Sequence, residues 1–214
     1  MAYSSERKKA LVGWSCMNAD SFSNVQVQKF LFFYECFSKI EGDAYELDGL
    51  KGYRNGPVFS AVFGDIRHEQ DYWNYCKEAF LSQPGMVNDR RAKLSAFLVK
   101  SLGNKLSEFT HMLNIWAAKR AEIEKGAYQV PLDEDDFSEG DAAILKDIER
   151  AYPENYLDSI ETKNIHGKAF VIRKADLGKL DDRAYDAMNE AAYDPEFDTP
   201  VYVSLDETGD LLLD

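Results

Sequence analysis

The chain has 214 residues, 45% of them apolar and 13% aromatic, which supplies a sizeable core and argues against wholesale disorder. No stretch approaches the roughly 18 apolar residues of a membrane span, and Ala10 to Trp14 is too short for a secretory leader, so a soluble, cytoplasmic protein is expected. The net charge of −13 belongs to one end: residues 1–130 carry 15 acidic and 17 basic side chains, whereas residues 131–214 carry 23 and 8. An acidic end of this kind repels nucleic acid and anionic membrane and suits a partner with a basic surface; a plain solvated surface has the same composition.

The first 125 residues predict helix after helix. Residues 6–17 set Ala10, Leu11 and Trp14 at helical spacing. Ser23 and Gln26 then form an S-x-x-Q capping box, opening a helix from about Val25 to Ile40. Phe30 to Tyr34 make that helix apolar nearly all round, so it is expected at the centre of the domain.

Gly42 to Gly56 is a connection, with a short strand compatible with Tyr45 to Leu47. Asn55-Gly56-Pro57 predicts a helix start with Pro57 in the first position, because its fixed φ suits that position and its missing N–H is not needed there. Val58, Phe59, Val62, Phe63 and Ile66 would share one stripe of that helix. Residues 69–82 continue as helix until Gln83-Pro84-Gly85 breaks it. Asn88-Asp89 can cap a helix carrying Leu94, Phe97, Leu98 and Leu102, ended by Gly103. Residues 105–124 follow at heptad-like spacing, either as one helix or broken near His111.

After Gly126, Pro131 to Glu139 is an acidic loop, and Ser138 or Asp141 can cap a helix carrying Ile144, Leu145, Ile148 and Tyr152. Lys168 to Lys174 alternates like a strand, with Phe170 and Ile172 opposed to Ala169 and Val171. Residues 177–192 predict a helix. Val201 to Leu205, Asp206 to Gly209 and Leu211 to Leu213 predict a hairpin. The fold class is therefore mainly α: a compact multi-helix domain over residues 1–155 with a small acidic α+β extension over 156–214.

Residues suited to chemistry are sparse. Cys16, Cys36 and Cys76 are odd in number and far apart, as expected of reduced, buried thiols. His68, His111 and His166 show no metal-ligand spacing, and no C-x-x-C, phosphate-binding glycine loop or G-x-S-x-G elbow is present. Cys36 sits in the most apolar helix, where burial makes a thiol inert. Asp133 to Asp136 is an acidic run without EF-hand spacing. The small basic clusters Arg90-Arg91-Lys93 and Lys119-Arg120 are ordinary helix-edge charges. The expectation is a non-enzymatic protein without metal or cofactor.

Three segments carry a resemblance, in order. Val27-Gln28-Lys29-Phe30-Leu31-Phe32-Phe33-Tyr34 resembles K-L-Q-K-L-L-Y-Y, with Ser23 standing at the helix cap. Tyr53 to Phe63 is similar to W-x-Y-G-P-V-x-x-x-V-Y, and Leu106-Ser107-Glu108-Phe109-Thr110-His111 with Trp116 and Ala118 is similar to L-S-x-L-T-H-x-x-x-P-W-x-x-A. These are the patterns of the Panacea-domain (SocA-like, phage-associated) antitoxin family, and they span about residues 5–125. The chain departs from them at Asn55, which replaces an aromatic, and in lacking the proline before Trp116.

The resemblance implies that residues 1–155 form a Panacea-like helical domain, part of an antitoxin that neutralises a cognate protein toxin by direct binding. One mode known in the family hands the toxin to a cytoplasmic protease, which is the alternative reading; an enzyme using His111 and a nearby carboxylate is a further one. Neither nucleic acid nor membrane is an expected partner, and a homo-oligomer is compatible with the reading. Lys29, Tyr53, Arg54, Asn55 and His111 are the candidate partner-binding residues. Gln28, Tyr34, Gly56, Pro57, Val58, Thr110 and Trp116 are the motif positions expected to build the fold.

Overall fold

The computed structural model describes residues 2–19, 22–206 and 208–214. Helix α1 (Glu6–Asn18) is capped by Ser5, whose hydroxyl accepts from the Lys8 N–H. Helix α2 (Asn24–Glu41) starts at the expected capping box: Ser23 Oγ accepts from Gln26 N, and Gln26 Oε1 accepts from Ser23 N. Its residues 27–38 are all buried, so it is the central helix its apolar run predicted. Phe30, Phe32, Phe33 and Phe37 are fully enclosed, each contributing roughly 1.5–3 kcal/mol.

The next segment corrects two expectations. The strand falls at β1 (Leu50–Tyr53), not at Tyr45 to Leu47, and Gly56–Phe59 is strand β2, not a helix start. Pro57 lies in that strand, and the helix begins only at α3 (Ser60–His68). The reason is tertiary. β2 is an edge of a three-stranded sheet in which β1 is central and a later strand near residue 130 forms the other edge, and there a proline lacking its N–H costs no ladder bond. Val58 and Phe59 accordingly belong to the hairpin and not to the stripe of Val62, Phe63 and Ile66.

Helix α4 (Tyr72–Ser82) is separate from α3 and lies against α1 so closely that a Cβ on Gly13 would collide with the Cys76 carbonyl. Helix α5 (Asp89–Ser101) is capped by Asn88, as expected. Residues 105–124 are not one helix: α6 (Leu106–Met112), α7 (Asn114–Ala117) and α8 (Arg120–Glu124) follow one another, the first break being the extended Leu113. Asp141 makes that break affordable, because its carboxylate accepts from the N–H groups of Asn114 and Ile115. The same carboxylate completes a capping box with Ser138 at the start of α9 (Glu139–Ala151). Strand β3 (Val130–Pro131) closes the first sheet on β1.

After α10 (Glu154–Ser159) comes a four-stranded sheet ordered β4 (Ile160–Ile165), β5 (Lys168–Arg173), β6 (Val201–Leu205), β7 (Leu211–Leu213). β5 and β6 run parallel, joined through α11 (Lys174–Leu177) and α12 (Asp182–Tyr193); the other pairs are antiparallel. Strand β4 was not foreseen, and the long helix starts five residues later than its pattern suggested. Glu207, in the expected turn of the last hairpin, lies outside the described residues.

The alternation in β5 has a direct explanation, since the strand is buried on both faces. Phe170 and Ile172 meet Met188, Ala191, Val201 and Val203 in a small core under α12. Val171, with Leu157 and Ile160, belongs to the large core of the helical body. Tyr152 and Tyr202 join hydroxyls at 3.0 Å, and the Thr199 hydroxyl donates to the Ser101 carbonyl at 3.1 Å, across the same seam. The molecule is thus mainly α with a C-terminal α+β region.

Candidate functional site

The three motif segments converge on one junction, where α2 and the α6–α7 corner grip the β1–β2 hairpin. Tyr53 pairs with Gly56, leaving Arg54 and Asn55 as the two turn residues, and Gly56 has φ +101°, a conformation that favours glycine. The outward backbone groups of the edge strand are satisfied by side chains of α2. Gln28 Oε1 accepts from Phe59 N at 2.8 Å, and Lys29 Nζ donates to Pro57 O at 3.1 Å. The adjacent Gln-Lys pair therefore replaces a missing strand neighbour.

The other side of the junction is held by α6 and α7. Ser107 Oγ donates to the Asn55 carbonyl at 3.1 Å, and Trp116 Nε1 donates to the Tyr53 carbonyl at 3.1 Å. Thr110 is buried, its hydroxyl bonded to Ser107 O, and it lies so near Gly56 that a Cβ there would come within 2.6 Å of Thr110 Oγ1. His111 stacks on Trp116 with ring centroids 3.7 Å apart, and Arg120 donates to the His111 carbonyl at 2.8 Å.

Charge at this junction is unusual. The other enclosed cations meet carboxylates: Lys8, together with the partly buried Arg7, bonds the enclosed Glu35, and Arg91 bonds Glu41 and Asp43. Lys29 is 1% exposed and has no ion pair among the described residues. Burial pushes its ammonium down to about 7. His111 is pushed down to about 4, first by burial, then by the charges of Lys29 and Arg120. Its Nε2 is buried without a hydrogen-bond partner among the described residues, and no carboxylate is among the groups shifting it.

Of the candidate partner-binding residues, Arg54 and Asn55 are exposed, Tyr53 and His111 half-buried, and Lys29 is enclosed. Gln28, Gly56, Pro57, Thr110 and Trp116 all build the junction, and half-buried Val58 faces Lys51 across the hairpin. Tyr34 lies elsewhere: its hydroxyl accepts from Asn88 N at the start of α5, with the guanidinium groups of Arg7 and Arg91 over its ring.

The sequence did not point to Tyr128, and it gave Phe63 and Arg120 no part in the site. Tyr128 is 87% exposed and packs edge-on against Tyr53, which also contacts Phe63, with centroids 6.2 and 6.1 Å apart. Arg120 lies over the Trp116 ring. A large aromatic between the breaks at Gly126 and Pro131 was the available signal for Tyr128.

The thiols are poor nucleophiles. Burial raises Cys36 well above the usual range and lifts Cys76 to about 12. Among the described residues, no group of three or more His, Cys, Asp or Glu could hold a metal ion, and no helix is long and apolar enough to cross a membrane. No protein-family model matches the chain, and no curated protein or solved structure is significantly similar to it.

Proposed function

We propose that the protein is an antitoxin that neutralises a cognate protein toxin by direct binding, with the tip of the β1–β2 hairpin as its contact face. The observation that carries this reading is the character of that tip. Tyr53, Phe63 and Tyr128 form an aromatic cluster next to the exposed Arg54, on a hairpin held from both sides by hydrogen bonds from the enclosed Lys29 and Trp116. Aromatic and arginine side chains on a rigid support are the usual anchors of protein interfaces, since they bury much area for little lost conformational freedom. The likeness of the three converging segments to Panacea-domain motifs supports the same reading. The acidic face of α12, with Asp182, Asp186 and Glu190 exposed, suits a basic surface on the same toxin.

Co-expression with the product of the neighbouring gene tests the reading. The expected results are restored growth and co-purification of the two chains. Absence of both would refute it. Loss of the partner protein only in cells with an intact cytoplasmic protease would replace sequestration by proteolytic delivery.

A further inference from the structure

We infer that the hairpin tip selects a partner segment carrying a carboxylate beside an aromatic or aliphatic side chain. The inference rests on the reading of this tip as the binding face, and goes further by naming the chemistry it takes.

The chain as a whole carries a net charge of −13, yet the two arginines of this face are paired with none of its acids among the described residues. Arg54 at the turn makes no ion pair among the described residues, and Arg120 spends one guanidinium nitrogen on a neutral carbonyl while its charge lies over Trp116. Neither Asp48 and Asp65, on either side of Arg54 in sequence, nor Glu122 and Glu124, beside Arg120, form an ion pair with these arginines among the described residues. Beneath them, Lys29 lies enclosed with only a carbonyl for a partner among the described residues, in contrast to Lys8 and Arg91. An arginine fork prefers a carboxylate, which it can engage through two parallel hydrogen bonds.

The aromatic half of the face is equally one-sided. Tyr128 leaves most of its ring in water, and Met112 is 65% exposed on the residue next to His111. An apolar side chain landing on Tyr53 and Tyr128 would cover this surface while an adjacent carboxylate reached Arg54. A basic segment would meet the arginines, and a bare phosphate would leave the rings uncovered.

The full-length chain, isotope-labelled, can be titrated by NMR with the blocked tetrapeptide Leu-Glu-Phe-Glu, its Leu-Lys-Phe-Lys counterpart, and a short oligothymidylate. The acidic peptide is expected to shift resonances of Tyr53, Arg54 and Tyr128, with the other two probes leaving them in place. Arg54→Glu, at an exposed turn position, should weaken the acidic peptide about tenfold while the circular dichroism spectrum is retained. Tyr128→Ala should weaken it without reversing the charge preference. Equal shifts with the lysine peptide or the oligonucleotide, or none with the acidic peptide, would overturn the inference. None of these readouts requires the toxin, so the antitoxin reading stands or falls separately, on the growth assay.

Discussion

The Lys29 ammonium, carried by α2, donates to the Pro57 carbonyl of the hairpin at 3.1 Å, and no carboxylate among the described residues pairs with it. One helical residue thereby couples the central helix to the edge strand that presents the exposed tip. It does so at an electrostatic cost that depends on pH.

That cost has a definite sign. The folded-state pKa of Lys29 is lowered to about 7 from an ordinary 10.5, so the unfolded chain binds more protons between these values. Its contribution to stability therefore rises with pH across this window and is least favourable below pH 7. Lys29→Met, which keeps the volume and loses the charge, should raise the urea midpoint at pH 7. The difference from the parent should shrink toward pH 10, and a constant difference would contradict the assignment.

Gly56→Ala should be strongly destabilising. The residue sits at φ +101°, and the added methyl would run into Lys29 Nζ and Thr110 Oγ1, both held in place by their own hydrogen bonds. Backbone strain and overpacking together should cost about 2–4 kcal/mol in urea unfolding. Ala at the exposed Gly126, also at positive φ but with open space around it, is the control and should cost only the strain.

Glu35→Gln probes the other buried charge cluster. Glu35 is fully enclosed and accepts from Arg7, Lys8 and the Glu46 N–H, while burial lowers the Lys8 pKa against the pull of this carboxylate. Removing one partner of a buried pair leaves the other uncompensated, so a loss of about 3–5 kcal/mol is expected. Adding Lys8→Met to Glu35→Gln should recover part of it, and thermal melts of the single and double variants provide the measurement.

Removal of residues 156–214 should leave a body that aggregates or melts well below the full chain. Leu157, Ile160 and Val171 belong to the large core, and each buried side chain of this kind is worth roughly 1.5–3 kcal/mol. A monomeric, cooperatively melting 1–155 fragment would show instead that the helical body closes its core without the extension.

What could be read locally came through in the sequence. The run from Phe30 to Tyr34 marked the central helix because a helix without a polar face must be surrounded. Ser23 with Gln26, Asn88, and Ser138 or Asp141 marked helix starts because a cap needs only residues three or four apart; that Ser138 and Asp141 cap jointly is a finding of the structure. Pro57 misled for the same reason: proline suits a first helical turn and an edge strand alike, and only the side chains of Gln28 and Lys29, reaching across from α2, decide for the strand. The alternation of β5 revealed a strand but not that both its faces are covered, which depends on α12 and the helical body.

The candidate site was divided in the same way. Its motif residues were nameable one by one, and their order in the chain suggested that they belong together. The tertiary structure alone set Lys29 under the hairpin, stacked His111 on Trp116, and brought Tyr128 from a distant loop onto Tyr53. The amino-acid sequence thus determined the helical elements and the residue types available for binding. Packing of segments remote in sequence decided which of those residues are enclosed as supports and which remain in water to meet a partner, because burial and desolvation depend on neighbours that local spacing does not specify.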